Sequence, residues 1–320
     1  MLSRLWRKVF KALCMLTNFQ LDQLLNYKIE KYKFYQKKGY KLNLNAPSSF
    51  CEKIVWKKIY DRNPLIQYTA DKYLVRSYIR SILGEERANN MLVPLHYVTS
   101  NPSTIPFDEL PSSYMIKPNH MSGAFIIVNH DLPDWSKVIN KCNRWLSLPY
   151  GLEKNEWAYK NMNKTILIEE LLSTKDNEIP DDYKMFMFHG KCKLIQHCLD
   201  RTSSGGLKIN IYSPEWELQD VTYKKRNRKP KPKPGNLDEM ISIAEELSKP
   251  FDFVRVDFYS VDGQTYIGEL THYPGSGKNI IEPVEFDFEL GKYWNLKKNY
   301  WSANLDEINL ILRSAQNMLG

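Results

Sequence analysis

Between Arg255 and Gly277 the chain reads Arg-Val-Asp-Phe-Tyr-Ser-Val-Asp-Gly-Gln-Thr-Tyr-Ile-Gly-Glu-Leu-Thr-His-Tyr-Pro-Gly-Ser-Gly, and no other stretch restricts its fold so closely. Two β-rich runs, Phe253–Tyr259 and Thr265–Thr271, flank the turn signal Asp262-Gly263, which is the pattern of a β-hairpin. Arg255 and Asp257 share one face of the first strand. Whether Glu269 joins them depends on the loop. A plain two-residue turn sets Asp257 and Glu269 on opposite faces. An odd-length loop, such as three residues with a bulge at Gly263, sets both carboxylates and Arg255 on the same face. Two carboxylates and an arginine make a poor core. They suit a hard cation that bridges phosphates, with a guanidinium beside it for a developing anion. The following Pro274-Gly-Ser-Gly277 loop offers backbone N–H groups to a second ligand. The plainer alternative is a half-exposed hairpin with ordinary surface charges.

The 320 residues, 42% hydrophobic and 26% charged, are those of a soluble globular chain of one large domain or two to three smaller ones. No apolar run approaches the ~20 residues needed to span a bilayer, and no secretory signal is expected at the N-terminus. The five cysteines are an odd number without zinc-like spacing. They predict reduced thiols in a cytoplasm.

The net charge of +8 is placed unevenly. Residues 1–41 hold ten Lys or Arg against Asp22 and Glu30, so this arm carries the whole excess and the remainder is neutral. Its first 16 residues form an amphipathic helical pattern. Leu2, Leu5, Trp6, Val9, Phe10, Leu13 and Leu16 share an arc of roughly 140°, with Arg4, Arg7, Lys8 and Lys11 opposite. Such a helix, spanning residues 1–18, can lie in an anionic membrane surface, or it can pack its apolar face on the body. Nucleic acid is not the expected partner, because the basic arm lacks aromatic–basic interleaving and any known binding motif.

A helix is predicted over Phe50–Tyr60, capped by Ser48 or Ser49 and ended by Asp61-Arg-Asn-Pro64. A second is predicted over Asp71–Leu83, closed by Gly84, with Asp71, Lys72 and Arg76 as helix surface. Met91–Val98 reads as a strand broken by proline. Tyr114–Lys117 is a strand, Asn119–Ala124 a small-residue loop, and Phe125–Val128 the next strand. A lysine at the lip of such a turn can neutralise nucleotide phosphates, although no Walker pattern occurs anywhere. Beyond a helix at Trp135–Leu148 comes a strand, Thr165–Leu172, in which Glu169 and Glu170 interrupt an apolar run. Tyr183–Gln196 is a hairpin turning at His189-Gly190, with Lys184, Phe186 and Phe188 on one face. The run Lys224–Gly235, with alternating lysine and proline, cannot be helical and reads as an extended loop, either solvated or embracing an anionic glycan or pyrophosphate-linked carrier. Helices follow at Asn236–Lys249, with Asn236 as cap, and at Leu305–Leu319.

In this order the pieces resemble the ATP-grasp superfamily. More closely, Leu44-Asn-x-Pro-x-x-Phe-x-Glu-Lys-Ile-x-Trp56, Tyr60-Asp-Arg-Asn-Pro64, Glu156-Trp-x-Tyr-Lys-Asn161, Pro180-Asp-Asp-Tyr-Lys184 and Gly268-Glu-Leu-Thr-x-Tyr-Pro-Gly-Ser-Gly277 resemble the TupA-like ATP-grasp family. The resemblance covers about residues 40–295. It implies an α/β (α+β) chain of the ATP-grasp fold, with the nucleotide held between two α+β subdomains. The expected division is a basic arm (1–41), an N-terminal domain (42–110), a lid subdomain (111–168) and a C-terminal subdomain with the metal site (169–320). It also implies ATP and Mg²⁺ as cofactors. By position, Lys117 resembles the lysine on the ATP phosphates. Asn119, His120, Ser122 and Gly123 match the loop over them, Glu169 and Glu170 the hinge pair near adenine and ribose, and Lys184 another phosphate contact. Asp257 and Glu269 resemble the metal ligands, with Thr271 where many relatives place asparagine. Arg255 matches the group that steadies an acyl phosphate, and Tyr273, Ser276 and Gly277 fall to the substrate.

The activity so implied is ATP-dependent carboxylate–amine ligation through an acyl phosphate, joining an amino acid to a hexuronic acid in bacterial surface-polysaccharide assembly. The partners are then a nucleotide, an anionic saccharide or glycolipid, and an amino acid. The location is cytoplasmic, peripheral on the inner membrane face. Two alternatives use the same pattern: a phosphotransferase acting on a glycan hydroxyl, and a non-catalytic nucleotide-binding scaffold at the membrane.

Overall fold

The chain places four strands in one sheet and five in another, the first alternating along its second strand in sequence and the second holding strands buried on both faces. The computed structural model describes residues 20–130, 133–176, 179–199, 207–223, 227 and 229–318. The amphipathic stretch 1–18 lies outside the described residues. The chain divides into two compact units. One comprises Met1–Lys33, Asp71–Tyr73 and Val93–Leu171, the other Phe34–Ala70, Leu74–Leu92 and Leu172–Gly320.

In the first unit, β1 (Leu95–Thr99), β2 (Ser113–Pro118), β3 (Ile126–Asn129) and β4 (Ile166–Glu170) form an antiparallel sheet in the order β1-β4-β2-β3. Period-two alternation sends Tyr114 and Ile116 of β2 to one face, where they join Val128, Ile166 and Ile168. The helix Trp135–Ser147 covers that face with Val138, Cys142 and Trp145, which the spacings of four and three align. Asp134 caps it, accepting from the Lys137 amide. The other face carries Lys117, Leu167 and Glu169.

The second unit holds β5 (Asp182–Phe188), β6 (Lys191–Leu199), β7 (Lys208–Tyr212), β8 (Thr222–Tyr223), β9 (Phe253–Val261), β10 (Gln264–Thr271) and β11 (Ile281–Glu282). Five of them make an antiparallel sheet in the order β10-β9-β5-β6-β7, and β8 pairs with β11 alone. The helix Leu237–Ser248 buries Leu237, Met240, Ile243, Ala244 and Leu247 against β5, β6 and β9. On the opposite face Phe186, Phe188 and Phe253 meet Phe50 and Trp294, with Phe50–Phe253 centroids 5.1 Å apart and Phe253–Trp294 4.8 Å. Offset and edge contacts of this kind suit ring quadrupoles better than a sandwich.

The helix Phe50–Tyr60 forms where expected. Ser49 is its cap, in a capping box with Glu52, whose carboxylate also takes the Asn43 and Ser48 amides. Pro64 ends nothing further: it opens the helix Pro64–Ala70, as proline can at a first helical position. The next helix is Leu74–Leu83 and not Asp71–Leu83, because the Asp71 carboxylate accepts from the Tyr73 amide in a turn. Asp71 and Arg76 are buried, contrary to their reading as surface. An unanticipated helix, Glu85–Met91, follows Gly84. Asn236 stands at the cap position of Leu237–Ser248, but its side chain bonds Thr265 and Ser260 instead. Cys51, Cys142, Cys192 and Cys198 are buried and none is in a disulfide among the described residues.

Candidate active site

Asp262 and Gly263, at φ 50° and 87°, make a plain two-residue turn, since Val261 pairs with Gln264. By itself this register sets Asp257 and Glu269 on opposite faces. The turn is thus the first of the two loops the sequence allows, yet the carboxylates share a face, because the odd residue that brings them together lies in the strand at Gly268. The pairing shifts between Ile267 and Glu269, so that Ile267 faces Phe258, Glu269 faces Asp257 and Thr271 faces Arg255. A Cβ on Gly268 would stand 3.1 Å from the Tyr259 ring and 3.3 Å from the Asp257 carbonyl oxygen, so the bulge is closed up against its neighbours. An isolated glycine inside a strand pattern is a bulge signal, and it was there to be read.

On the other side of β9, Lys184 of β5 is in register with Asp257. Its Nζ donates to Asp257 Oδ2 at 2.6 Å and lies 3.4 Å from Asp182. Arg255 grips the same carboxylate in a fork, Nε to Oδ1 at 2.6 Å and NH2 to Oδ2 at 2.7 Å, and also reaches Thr271 Oγ1 at 3.1 Å. Glu269 stands 3.8 Å from the same guanidinium and accepts from Thr271. Lys184, Arg255 and Asp257 are buried, whereas Glu269 is about a third exposed. Burial alone pushes the Lys184 ammonium down, but Asp182 and Asp257 more than reverse this, and its pKa lies above lysine's ordinary value. Arg255 is likewise held above its usual range, burial being outweighed by Asp257. Both cations stay charged in a site with little water.

Asp257 and Glu269, adjacent across two strands with the Thr271 hydroxyl beside them, are hard oxygen donors of the kind a magnesium ion takes, with both Asp257 oxygens also engaged by Lys184 and Arg255. Among the described residues no group of three or more acidic, histidine or cysteine side chains is gathered. Two carboxylates fit magnesium's habit of binding through one or two of them and completing its shell with water and phosphate oxygens.

In the first unit Lys117 is ion-paired to Glu169 on the sheet face opposite the core of Tyr114 and Ile116, with Glu169 buried and the Lys117 side chain 17% exposed. Glu170, on the other face of β4, bonds His96 at 3.0 Å. The loop that starts at Asn119 is firmly tied. The Asn119 amide donates to Asp71 at 2.6 Å and to the Asn163 carbonyl at 2.8 Å, while its Oδ1 accepts from the Thr165 amide. Lys72 Nζ donates to the Met121 carbonyl, and the Tyr150 hydroxyl receives the Ser122 amide. Asn119 thus holds the loop's stem, and His120 is buried beside it, with burial and Lys164 depressing its pKa to about 4. Gly123, at φ 71°, has open space around it and leaves the tip accessible.

The Pro274–Gly277 turn is packed down, not open. The Ser276 and Lys278 amides close on the Tyr273 and Gly275 carbonyls. Lys58, fully buried, donates to the Ser276 carbonyl and hydroxyl at 3.1 and 3.0 Å. A Cβ on Gly277 would meet the Cys51 carbonyl at 2.7 Å. Tyr273, Ser276 and Gly277 are all buried, so the three residues assigned to substrate form the wall on which the helix Phe50–Tyr60 rests. Sequence reasoning missed Asp71, Lys72 and Tyr150 as tethers of the Asn119 loop, Asp182 as the second acid on Lys184, and Lys58. Asp71, Lys72 and Tyr150 stand in turns and Lys58 on a helix, each with a partner distant in sequence, whereas Asp182 lies two residues from Lys184 on the same strand and was open to a period-two reading.

A family model described as TupA-like ATPgrasp matches residues 52–295. A search of curated proteins finds no match. Among solved structures, D-alanine–D-alanine ligase from Bacillus anthracis complexed with ATP is 16% identical with a TM-score of 0.42, over 78% of this chain and 68% of that one. A second structure of that ligase is 15% identical with a TM-score of 0.44, over 82% and 79%. N5-carboxyaminoimidazole synthetase from Staphylococcus aureus is 12% identical with a TM-score of 0.37, over 65% and 46%.

Proposed function

The chain belongs to the TupA-like ATP-grasp family, and from that premise we propose that it is an ATP-dependent carboxylate–amine ligase joining an amino acid to a hexuronic acid for a bacterial surface polysaccharide. The observation that carries the reading is the arrangement around Asp257. Two buried, permanently charged cations and two cross-strand carboxylates stand on one sheet face, which suits a reaction that moves negative charge between oxygens.

In the proposed reaction a carboxylate oxygen of the sugar acid attacks the γ-phosphorus of ATP, and the bond to ADP breaks. The amine nitrogen then attacks the acyl carbon, phosphate leaves with the bonding pair, and the nitrogen loses a proton. Arg255 and Lys184 face the developing anions, positioned in advance by Asp257, so little reorganisation is needed. Asp257 and Glu269, with Thr271, would hold Mg²⁺, which when bound would neutralise phosphate charge. Lys117 contacts the phosphates from its strand, with its ammonium oriented by Glu169, and Glu169 and Glu170 address adenine and ribose. Ser122 and Gly123 supply the loop over the phosphates, whereas Asn119 and His120 set its stem. Residues 1–18 dock the protein on the inner face of the membrane. Among the described residues no helix is long and apolar enough to cross one.

The test is to supply ATP and Mg²⁺ with pairs of uronic acids and amino acids and to follow product by mass spectrometry. A product of summed mass less water, dependent on both partners and on ATP, is expected. A phosphorylated sugar in its place would make the protein a phosphotransferase. Nucleotide binding with no product from monomeric or lipid-linked acceptors would make it a scaffold.

A further inference from the structure

The part of the lysine–proline run from Lys229 to Lys231, which the active-site reading leaves unused, is fixed to the second sheet by its backbone. Asn210 Nδ2 donates to the Lys229 carbonyl at 2.8 Å, Trp216 Nε1 donates to the Lys231 carbonyl at 2.9 Å, and the Lys231 amide donates to the Tyr212 hydroxyl at 2.8 Å. Asn210 and Tyr212 are themselves buried on β7, and Trp216 stacks flat on Tyr212 with centroids 4.0 Å apart. One step earlier, the Asn227 amide bonds the Ile209 carbonyl at 2.7 Å. Prolines at 230, 232 and 234 fix their own φ and keep the residues before them extended.

The side chains behave in the opposite way. Lys229, Lys231 and Lys233 are exposed. Lys233 touches Asp238 at 2.9 Å in a pair open to water, which contributes little and yields readily to another anion. Lys229 and Lys231 have no carboxylate partner among the described residues. Alternate residues of an extended proline-rich chain lie ~6 Å apart. A backbone ordered by folding therefore presents three exposed cations along one short extended stretch, so a ligand does not bear the cost of ordering it.

Three linear or planar anions could meet such a row. A single-stranded nucleic acid needs ring faces on which to stack. The aromatic nearest the ribbon, Trp216, is already stacked on Tyr212 with its N–H bonded to Lys231. A membrane surface holds a segment best when apolar side chains enter beside the cations, and the ribbon between 229 and 234 offers only proline, leaving three charges at about 1 kcal/mol each as its whole attraction to anionic lipid. The geometry points to Lys229, Lys231 and Lys233 as a docking ribbon for a linear acidic polysaccharide, one carboxylate per sugar, which the ligase engages as polymer away from the reacting residue. The identity of that partner rests on the uronic acid reading above.

The test uses the full chain and a fluorescently labelled oligogalacturonate, with binding followed by anisotropy across a salt series. Replacing Lys229, Lys231 and Lys233 together by glutamine is expected to weaken binding about tenfold or more and to flatten the log–log salt slope by about 2, as for three neutralised charges on a single-stranded polyanion. The triple arginine variant should bind like the parent. Equal binding by the glutamine variant overturns the proposal. So does tighter binding of oligothymidylate, or of phosphatidylglycerol vesicles, that is lost in the same variant. ATP binding, unchanged in all variants, reports intact folding. Amide formation on monomeric uronic acid and on the oligogalacturonate is scored separately: its absence on both with ribbon binding intact refutes the ligase reading alone, and its presence on either with ribbon binding absent refutes the ribbon alone.

Discussion

Glu269 stands opposite Asp257 because Gly268 is an extra residue in its strand. The bulge is thus a functional element, and its tight closure on Tyr259 makes it testable. Gly268→Val is expected to cost about 1–3 kcal/mol in urea denaturation, because its side chain must displace the Tyr259 ring. Combining it with Tyr259→Ala should recover much of that loss. Additive costs in the double variant would show that the ring is not what confines the bulge.

Asp257 is the common counter-ion of Lys184 and Arg255. Asp257→Asn should abolish ATP-dependent turnover and also destabilise the protein by about 3 kcal/mol, since two buried cations lose their anion. Thermal melts should show nucleotide restoring part of the loss. A variant with parental stability would mean that the two cations find other partners.

Lys57, fully buried, bonds Asp61 at 2.8 Å and Asp252 at 2.6 Å, and Trp294 donates to the second of these carboxylates. Lys57→Met strands both acids. The expected cost is about 3–5 kcal/mol by chemical denaturation, with nucleotide affinity retained where the variant is folded. A loss below about 1 kcal/mol would contradict the burial of those carboxylates.

His120 has its pKa lowered to about 4, first by burial and then by Lys164. A depressed histidine means that the unfolded chain binds the proton more readily. The stabilising contribution is therefore complete above about pH 6.5 and lost as pH falls toward 4. Between those limits the stability of His120→Gln should fall less steeply with acid, by about 1.4 kcal/mol per pH unit at most. Identical pH slopes would place His120 in water.

Much of this was legible where signals are local. Both hairpins follow from Asp-Gly and His-Gly turns between alternating strands, and the helix Phe50–Tyr60 from a serine cap and apolar spacing. Lys117, Lys184, Arg255, Asp257 and Glu269 were all singled out from sequence, and the structure places the last four on one sheet face. What escaped was set by partners far along the chain. Asp71 is buried because Asn119 reaches it across 48 positions, and Pro64 begins a helix although the same residue reads as a stop. The turn at Ser276 looked like an open ligand loop because glycine and serine say nothing of the buried Lys58 beneath them. Residues 1–18 lie outside the described residues.

Because Lys184, Arg255 and Asp257 share one set of oxygens, they answer to substitution as a unit. Removing any one leaves uncompensated charge in a buried place, while removing a second relieves part of the damage done by the first. Their effects should be strongly non-additive. For a lineage drifting away from this chemistry, intermediate sequences lacking one member are the least fit. The trio is therefore expected to be kept whole or lost together, and in heredity it behaves as a single character.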